Sequence, residues 1–178
     1  AGGGPAVTQR MRSAGIEGIN VDRPTMNLIA DWAGWPLSSN DDNWRAAARP
    51  PMASADSAFN RDVRDTSTPE GMAQLLEKIW RKDGLTEKSS ALLLDIMTRS
   101  TTGTARLKGL LPPAVRVAHK TGTIGGTTND VGIITLPENA GHVVAVVFVK
   151  ESALPVETRE RAIAQIARSI YDFFLFTR

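Results

Sequence analysis

The most constraining part of the chain is its last third, where two β-branched runs are separated by one tight turn. Val131 to Leu136 and His142 to Val149 are rich in valine and isoleucine, with Pro137-Glu-Asn-Ala-Gly141 between them. Branched side chains favour a pleated backbone, while proline, asparagine and glycine favour reversals. A third strand signal, Val115 to Lys120, comes earlier, with Val115 and Val117 alternating inside a polar run. Short connections join antiparallel neighbours, because a parallel crossover needs a dozen residues or more. The spacing therefore predicts an antiparallel meander. Glu157 to Phe176 follows as a helix, with Ile163, Ile166, Ala167 and Ile170 on one face and Phe173 and Phe174 extending it. Such a helix covers one face of a sheet.

The chain before the strands is helical. Pro5 to Ala14 pairs Val7 with Met11 one turn apart, and Gly15 stops it. Thr68 is placed to cap a helix that starts with Pro69 and Glu70 and buries Met72, Leu75, Leu76 and Ile79, with Gly84 at its end. Thr86 caps the next, whose stripe is Leu92, Leu93, Ile96 and Met97. A third short helical piece is expected from about Thr104 to Leu110, stopped by Pro112-Pro113. Val21 to Arg64 is the least regular stretch. Met26, Ile29 and Ala30 suggest a turn or two of helix, and Trp32, Trp35 and Trp44 stand among loop residues. A loop of that length is functional or disordered, and its tryptophans argue for one pinned to the body of the protein. Helices, then hairpin strands, then a covering helix is an α+β order. The expected division is 1–114, helical with a long loop at about 20–64, and 115–178, three strands and the C-terminal helix.

Charge and composition exclude several classes. A net charge of +2 with scattered basic residues gives no footprint for nucleic acid or a membrane surface. With no cysteine there is no disulfide framework and no thiolate chemistry. The longest apolar run, Val143 to Val149, is too short to span a bilayer. The glycine-rich opening Ala1 to Val7 lacks the pattern of a signal peptide and reads as the interior of a longer protein.

The segment His119-Lys-Thr-Gly-Thr123 stands at the end of the first predicted strand, before Gly125-Gly126. Around it lie Asp65-Thr-Ser-Thr-Pro-Glu-Gly-Met-Ala73, Thr101-Thr-Gly-Thr-Ala-Arg-Leu107, Leu111-Pro-Pro and Thr127-Thr-Asn-Asp130. In this order and spacing the blocks resemble the class A serine β-lactamases, a family whose motifs include Lys-Thr-Gly. The resemblance covers most of the chain from Gly2 to the last helix and is weakest between Asn20 and Arg64. It implies the β-lactamase/transpeptidase-like fold, a β-lactam or related acyl substrate, no metal or other cofactor, and a periplasmic or secreted address.

The resemblance also implies roles. Lys120 and Thr121 match the positions that bind the substrate carboxylate and tune the neighbouring protons. Gly122 leaves room for the ligand, and Thr123 matches the position whose backbone N–H completes the oxyanion hole. Arg106 matches an arginine that, in part of the family, reaches the same carboxylate pocket, and Thr102 lines it. His119 departs from the commoner acidic residue and, by strand alternation, points away from Lys120 as a structural residue. His142 begins a strand and is expected at the surface.

Two expected motifs are missing. No serine in the chain has lysine three positions later, so the nucleophile motif Ser-x-x-Lys is absent. Ser-Asp-Asn is absent too; Ser38-Ser-Asn40 has a related form but lies after the place where that motif belongs. Both precede Lys-Thr-Gly in the family, so the nucleophile is expected from polypeptide outside this chain. The loop's activating glutamate is also missing, and Thr25 falls at its position. A threonine hydroxyl does not ionise near neutral pH and is a poor general base. Three readings stay open: an enzyme that opens β-lactams, a penicillin-binding or sensor relative with little turnover, and, more distantly, a glutaminase-type relative. This chain alone is expected to be inactive and to pair with the missing N-terminal half or with a second copy, because it would otherwise expose a sheet edge and apolar surface.

Overall fold

The computed structural model describes residues 2–34 and 57–177. Trp35, Trp44 and Ser38-Ser-Asn40 lie outside the described residues. The elements are α1 (Gly3–Ser13), α2 (Thr25–Ala33), α3 (Ser57–Arg61), α4 (Pro69–Arg81), α5 (Glu87–Thr98), β1 (Val117–Ile124), β2 (Thr127–Thr135), β3 (His142–Val149) and α6 (Val156–Phe176). The strands form one antiparallel sheet in the order β1-β2-β3, as the hairpin spacing predicts. With helices before it and a covering helix after it, the α+β class is confirmed.

The sheet sorts its side chains by face. Val117, Ile134, Val143, Ala145 and Val147 meet Ile163, Ala167 and Tyr171 of α6, with Leu107 and Leu111 closing that core. Ala118, Val131 and Ile133 meet Leu76 of α4 and Met97 of α5 on the other face. A register slip of one residue would exchange the two faces, so burial on both sides fixes the pairing. Thr68 and Thr86 accept the N–H groups of Gly71 and Ser89, the N-caps their positions predict.

Several details differ from the sequence expectations. β1 runs on through Ile124, so Thr121 to Thr123 lie inside the strand rather than beyond Lys120, its expected end. The reason is β2, which starts at Thr127 and pairs with the polar end, Ile124 opposite Thr127 and Thr121 opposite Asp130. Residues 104–110 form successive turns instead of a third helix, with Arg106 N–H bonded to Gly103 and Gly109 N–H to Arg106. Arg106 and Leu107 are held from outside the segment, as described below, which overrides the helical pattern. On α6 the buried residues include Ile163, Ala164, Ala167 and Tyr171, whereas Ile166, Phe173 and Phe174 are exposed. On α5, Leu92 and Ile96 are likewise exposed while Met97 is buried. Each of these stripes is wider than the surface available to it within the described residues.

The long loop hangs from a two-stranded neck. Thr68 N–H bonds to the Gly18 carbonyl, and Asn20 N–H to that of Thr66. Asp22 and Asp65 each accept the other's N–H. Arg23 binds Asp65 at 2.6 Å and Asp62 at 3.1 Å, and also pairs with Asp31. Gly71 permits the close approach: a Cβ there would overlap the Glu17 carbonyl. Trp32, buried at the end of α2, packs against Gly125 in the β1–β2 turn, so this tryptophan does pin the loop to the sheet.

Candidate functional site

The edge of β1 presents Lys120, Gly122 and Thr123 to solvent, with Thr121 half-buried. Alternation puts Thr121 and Thr123 on the α6 face and Lys120 on the α4–α5 face. Lys120 Nζ folds back over the edge and donates to the Thr121 carbonyl at 2.6 Å, bringing ammonium and hydroxyls to one rim. His119, one position earlier, is fully buried, as the alternation requires.

The 102–107 turn supports this rim from below. Thr102 and Thr121 share a hydroxyl–hydroxyl bond of 2.7 Å. Gly103 makes that approach possible: it has φ +63°, and a Cβ would overlap the Thr121 methyl. Arg106 is 5% exposed. Its guanidinium donates to the carbonyls of Gly122 (3.1 Å) and Asn129 (2.9 Å), to Thr123 Oγ1 (2.6 Å) and to Glu160 Oε1 (3.0 Å). Arg106 is therefore a brace under the strand, bound to Thr123 and neutralised by Glu160 of α6. Arg159, also buried, donates to the Gly125 carbonyl at 3.0 Å and steadies the β1–β2 turn.

This wiring leaves donors facing outward. Arginine only donates, so Thr123 Oγ1 must accept from Arg106, and its own proton stays available. In the Thr102–Thr121 pair, with Ser100 Oγ 3.3 Å from Thr102 Oγ1, the Thr121 proton is left over when Thr102 donates to it. Beside the Lys120 ammonium these form a cationic, donor-rich rim suited to a carboxylate.

The structure thus brings together six of the residues singled out by sequence: Lys120, Thr121, Gly122, Thr123, Thr102 and Arg106. Thr25 is separate. It opens α2, is exposed, and makes no side-chain hydrogen bond to the rim. His142 is exposed, as expected, and its ring contacts Trp80 with centroids 3.8 Å apart and planes tilted by 56°. Partial burial holds its pKa below the usual histidine value. A cavity of about 440 Å³ lies between loop and sheet, lined by Arg23, Phe59, Arg64, Ile124, Asn129 and Phe148. It neighbours the rim without including Lys120. Among the described residues no cluster of three or more His, Asp or Glu could hold a metal ion. No helix among them is long and apolar enough to cross a membrane.

Sequence reasoning missed Glu160 and Asp130. Glu160 lies 54 positions from the arginine it neutralises, with no local signal. Asp130 carried one: a carboxylate heading an apolar strand must find a partner when buried.

Comparison with known proteins agrees with this geometry. The model of the β-lactamase enzyme family matches residues 1–174. The extended-spectrum β-lactamase PER-1 of Pseudomonas aeruginosa is 49% identical over 112 residues, 60% of this chain and 36% of its own. β-Lactamase CTX-M-25 of Escherichia coli is 35% identical over 159 residues, 85% of this chain and 54% of its own. Among solved structures, an ancestral (GNCA) class A β-lactamase superposes with a TM-score of 0.73 at 31% identity, covering 96% of this chain and 55% of that one. The chain thus spans about half the length of such relatives or less. It belongs to the β-lactamase enzyme family, on its class A side.

Proposed function

We propose that the complete protein opens the amide of a β-lactam through an acyl-enzyme, and that this chain supplies the substrate-carboxylate wall and one oxyanion donor. The observation that carries the reading is the Lys120–Thr123 rim on the free edge of an antiparallel sheet, braced by Arg106 and joined by Thr102. Lys120 and the hydroxyls of Thr121 and Thr123 bind the substrate carboxylate. The Thr123 N–H donates to the oxyanion that forms when the amide is attacked. A donor placed on developing charge contributes roughly 3 kcal/mol in comparable enzymes.

The nucleophile and its proton partner come from another segment, either the N-terminal half of the same protein or a second copy. Among the described residues, exposed Leu92, Ile96, Ile166 and Phe173 and the unpaired edges of β1 and β3 support such a partner. Residues 1–114 then complete a helical domain and 115–178 a sheet domain, in a periplasmic or secreted protein. This chain alone is inactive and not a stable monomer. Native mass spectrometry of the isolated chain tests that, and a well-folded monomer would contradict it.

One observation favours a second reading, penicillin binding with little turnover. Thr25 stands where the activating glutamate is expected, exposed at a helix start, with no side-chain partner among the described residues to make it basic. Chromogenic cephalosporin added to the complete protein separates the two. Continuous colour release means hydrolysis. A single burst means acylation without release, and Thr25→Glu should then raise turnover. No reaction would remove both.

A further inference from the structure

We propose that the buried His119–Asp130 pair is the positioning device of this site: it pins the 102–107 turn to the sheet and so sets Thr102 and Arg106 against Thr121 and Thr123. This deepens the reading of the Lys120–Thr123 rim as the substrate wall and rests on it.

Both side chains are 0% exposed. Asp130 lies across from Thr121 in the β1–β2 register, on the same face of the sheet. Its two oxygens are each 2.9 Å from His119 Nδ1. Its Oδ2 also accepts the Leu107 N–H at 3.1 Å. That N–H belongs to the peptide unit linking Arg106 to Leu107, so the carboxylate holds the arginine's backbone directly. The guanidinium of Arg106 then bonds the carbonyl of Asn129, beside Asp130. The turn and the strand pair are tied at both ends of one residue.

Among the described residues the ring has no other polar contact. His119 Nε2 is buried without a hydrogen-bond partner. The residue opposite is Gly132, where a Cβ would sit 2.7 Å from His119 Cβ and closer still to the Ala118 carbonyl. Glycine thus opens the space that the ring fills. A buried polar ring bonded on one nitrogen alone is costly. Its structural effect is to orient the carboxylate that grips the turn by its backbone.

The test uses the complete protein carrying Asp130→Ala, which removes both bonds, and Asp130→Asn. The asparagine keeps an acceptor for Leu107 N–H and turns a donor to His119 Nδ1. Three quantities are read: hydrogen exchange at the Leu107 amide, the far-downfield NMR signal of the hydrogen-bonded His119 Nδ1–H, and labelling by a fluorescent penicillin. In Asp130→Ala the Leu107 amide should exchange at least about tenfold faster through local opening, and the imidazole signal should vanish. The penicillin concentration for half-maximal labelling rate should rise about tenfold, with the limiting rate changed less than about threefold. Asp130→Asn should restore most of the exchange protection and labelling. A folded Asp130→Ala protein with unchanged Leu107 exchange and half-saturation would overturn the proposal. So would a loss of global stability alone, with labelling intact. If Asp130→Ala fails to fold, Asp130→Asn decides: loss of the His119 signal with about threefold faster Leu107 exchange supports the pair, and no change in either refutes it. If the unaltered protein takes no label, the substrate reading fails, while exchange still decides whether the pair holds the turn.

Discussion

The rim of β1 and the neck of the long loop are both held by arginine, and they are held differently. Arg106 is buried and spreads its donors over two carbonyls, a hydroxyl and one carboxylate. At the neck, Arg23 and Arg64 meet Asp31, Asp62 and Asp65, and Arg64 is half exposed. Neutral acceptors in a dry interior keep their bonds when salt or acid is added. The neck pairs that reach solvent, through Arg64 and Asp31, do not, although Arg23 itself is only 7% exposed. The part of the molecule assigned to the substrate carboxylate is held by buried bonds, and the neck beside Thr25 depends more on charge.

The strongest way to break this comparison is to truncate one arginine on each side. Arg106→Ala leaves Glu160 without its cation and three acceptors without donors, and should cost about 3–5 kcal/mol in the complete protein. Arg64→Ala should cost about 0–1 kcal/mol, within the range for exposed pairs. Denaturant titration compares them, and equal losses would erase the distinction. Next comes Gly103→Ala, which adds a methyl against Thr121 at a positive φ. It should cost about 1–3 kcal/mol and weaken penicillin labelling, because the Thr102–Thr121 bond must open.

Acid gives the third comparison. The Arg64 guanidinium holds the Asp62 carboxyl well below the usual carboxylate range, assisted by Arg64 N–H and by Arg23. Asp65 is also lowered: burial pushes it up, but N–H groups of Asp22 and Arg23 and the Arg23 guanidinium outweigh that. A depressed carboxylate pKa stabilises the folded state above the unfolded value of about 4, and this is lost as pH falls through the folded value. Protection against hydrogen exchange at Asn20 and Thr68 should therefore fall below about pH 4, while that of the Arg106 amide, bonded to the Gly103 carbonyl, persists. Simultaneous loss would mean that the two regions unfold together. The smallest effect is at the far side of the sheet. His142, whose pKa partial burial lowers, should quench Trp80 only as pH falls below about 6.5, the usual histidine value. Replacing His142 with phenylalanine should abolish that change.

How far the sequence reveals this molecule depends on whether partners are neighbours in the chain. Thr68 and Thr86 were legible as caps because a cap bonds three residues ahead. The meander was legible from branched runs and one turn, and Lys120 to Thr123 from their motif. The end of β1 was not, because its polar residues become strand only through pairing with Thr127 to Asp130. The 104–110 helix failed for a related reason: Leu107 N–H is claimed by Asp130 and the Arg106 side chain by β1, β2 and α6. Exposed Phe173 and Leu92 show the same limit from outside, since an apolar stripe says that something covers it and not where that partner is encoded.

In the proposed function Lys120 supplies the cationic contact of a β-lactam-binding wall. The direct measurement is the second-order rate of labelling by a fluorescent penicillin in the complete protein, with and without Lys120→Ala. The side chain is exposed, so the unfolding midpoint should stay where it is. Loss of a charge-assisted contact should slow labelling by about a hundredfold, roughly 3 kcal/mol. Equal labelling rates in the two folded proteins would contradict the account.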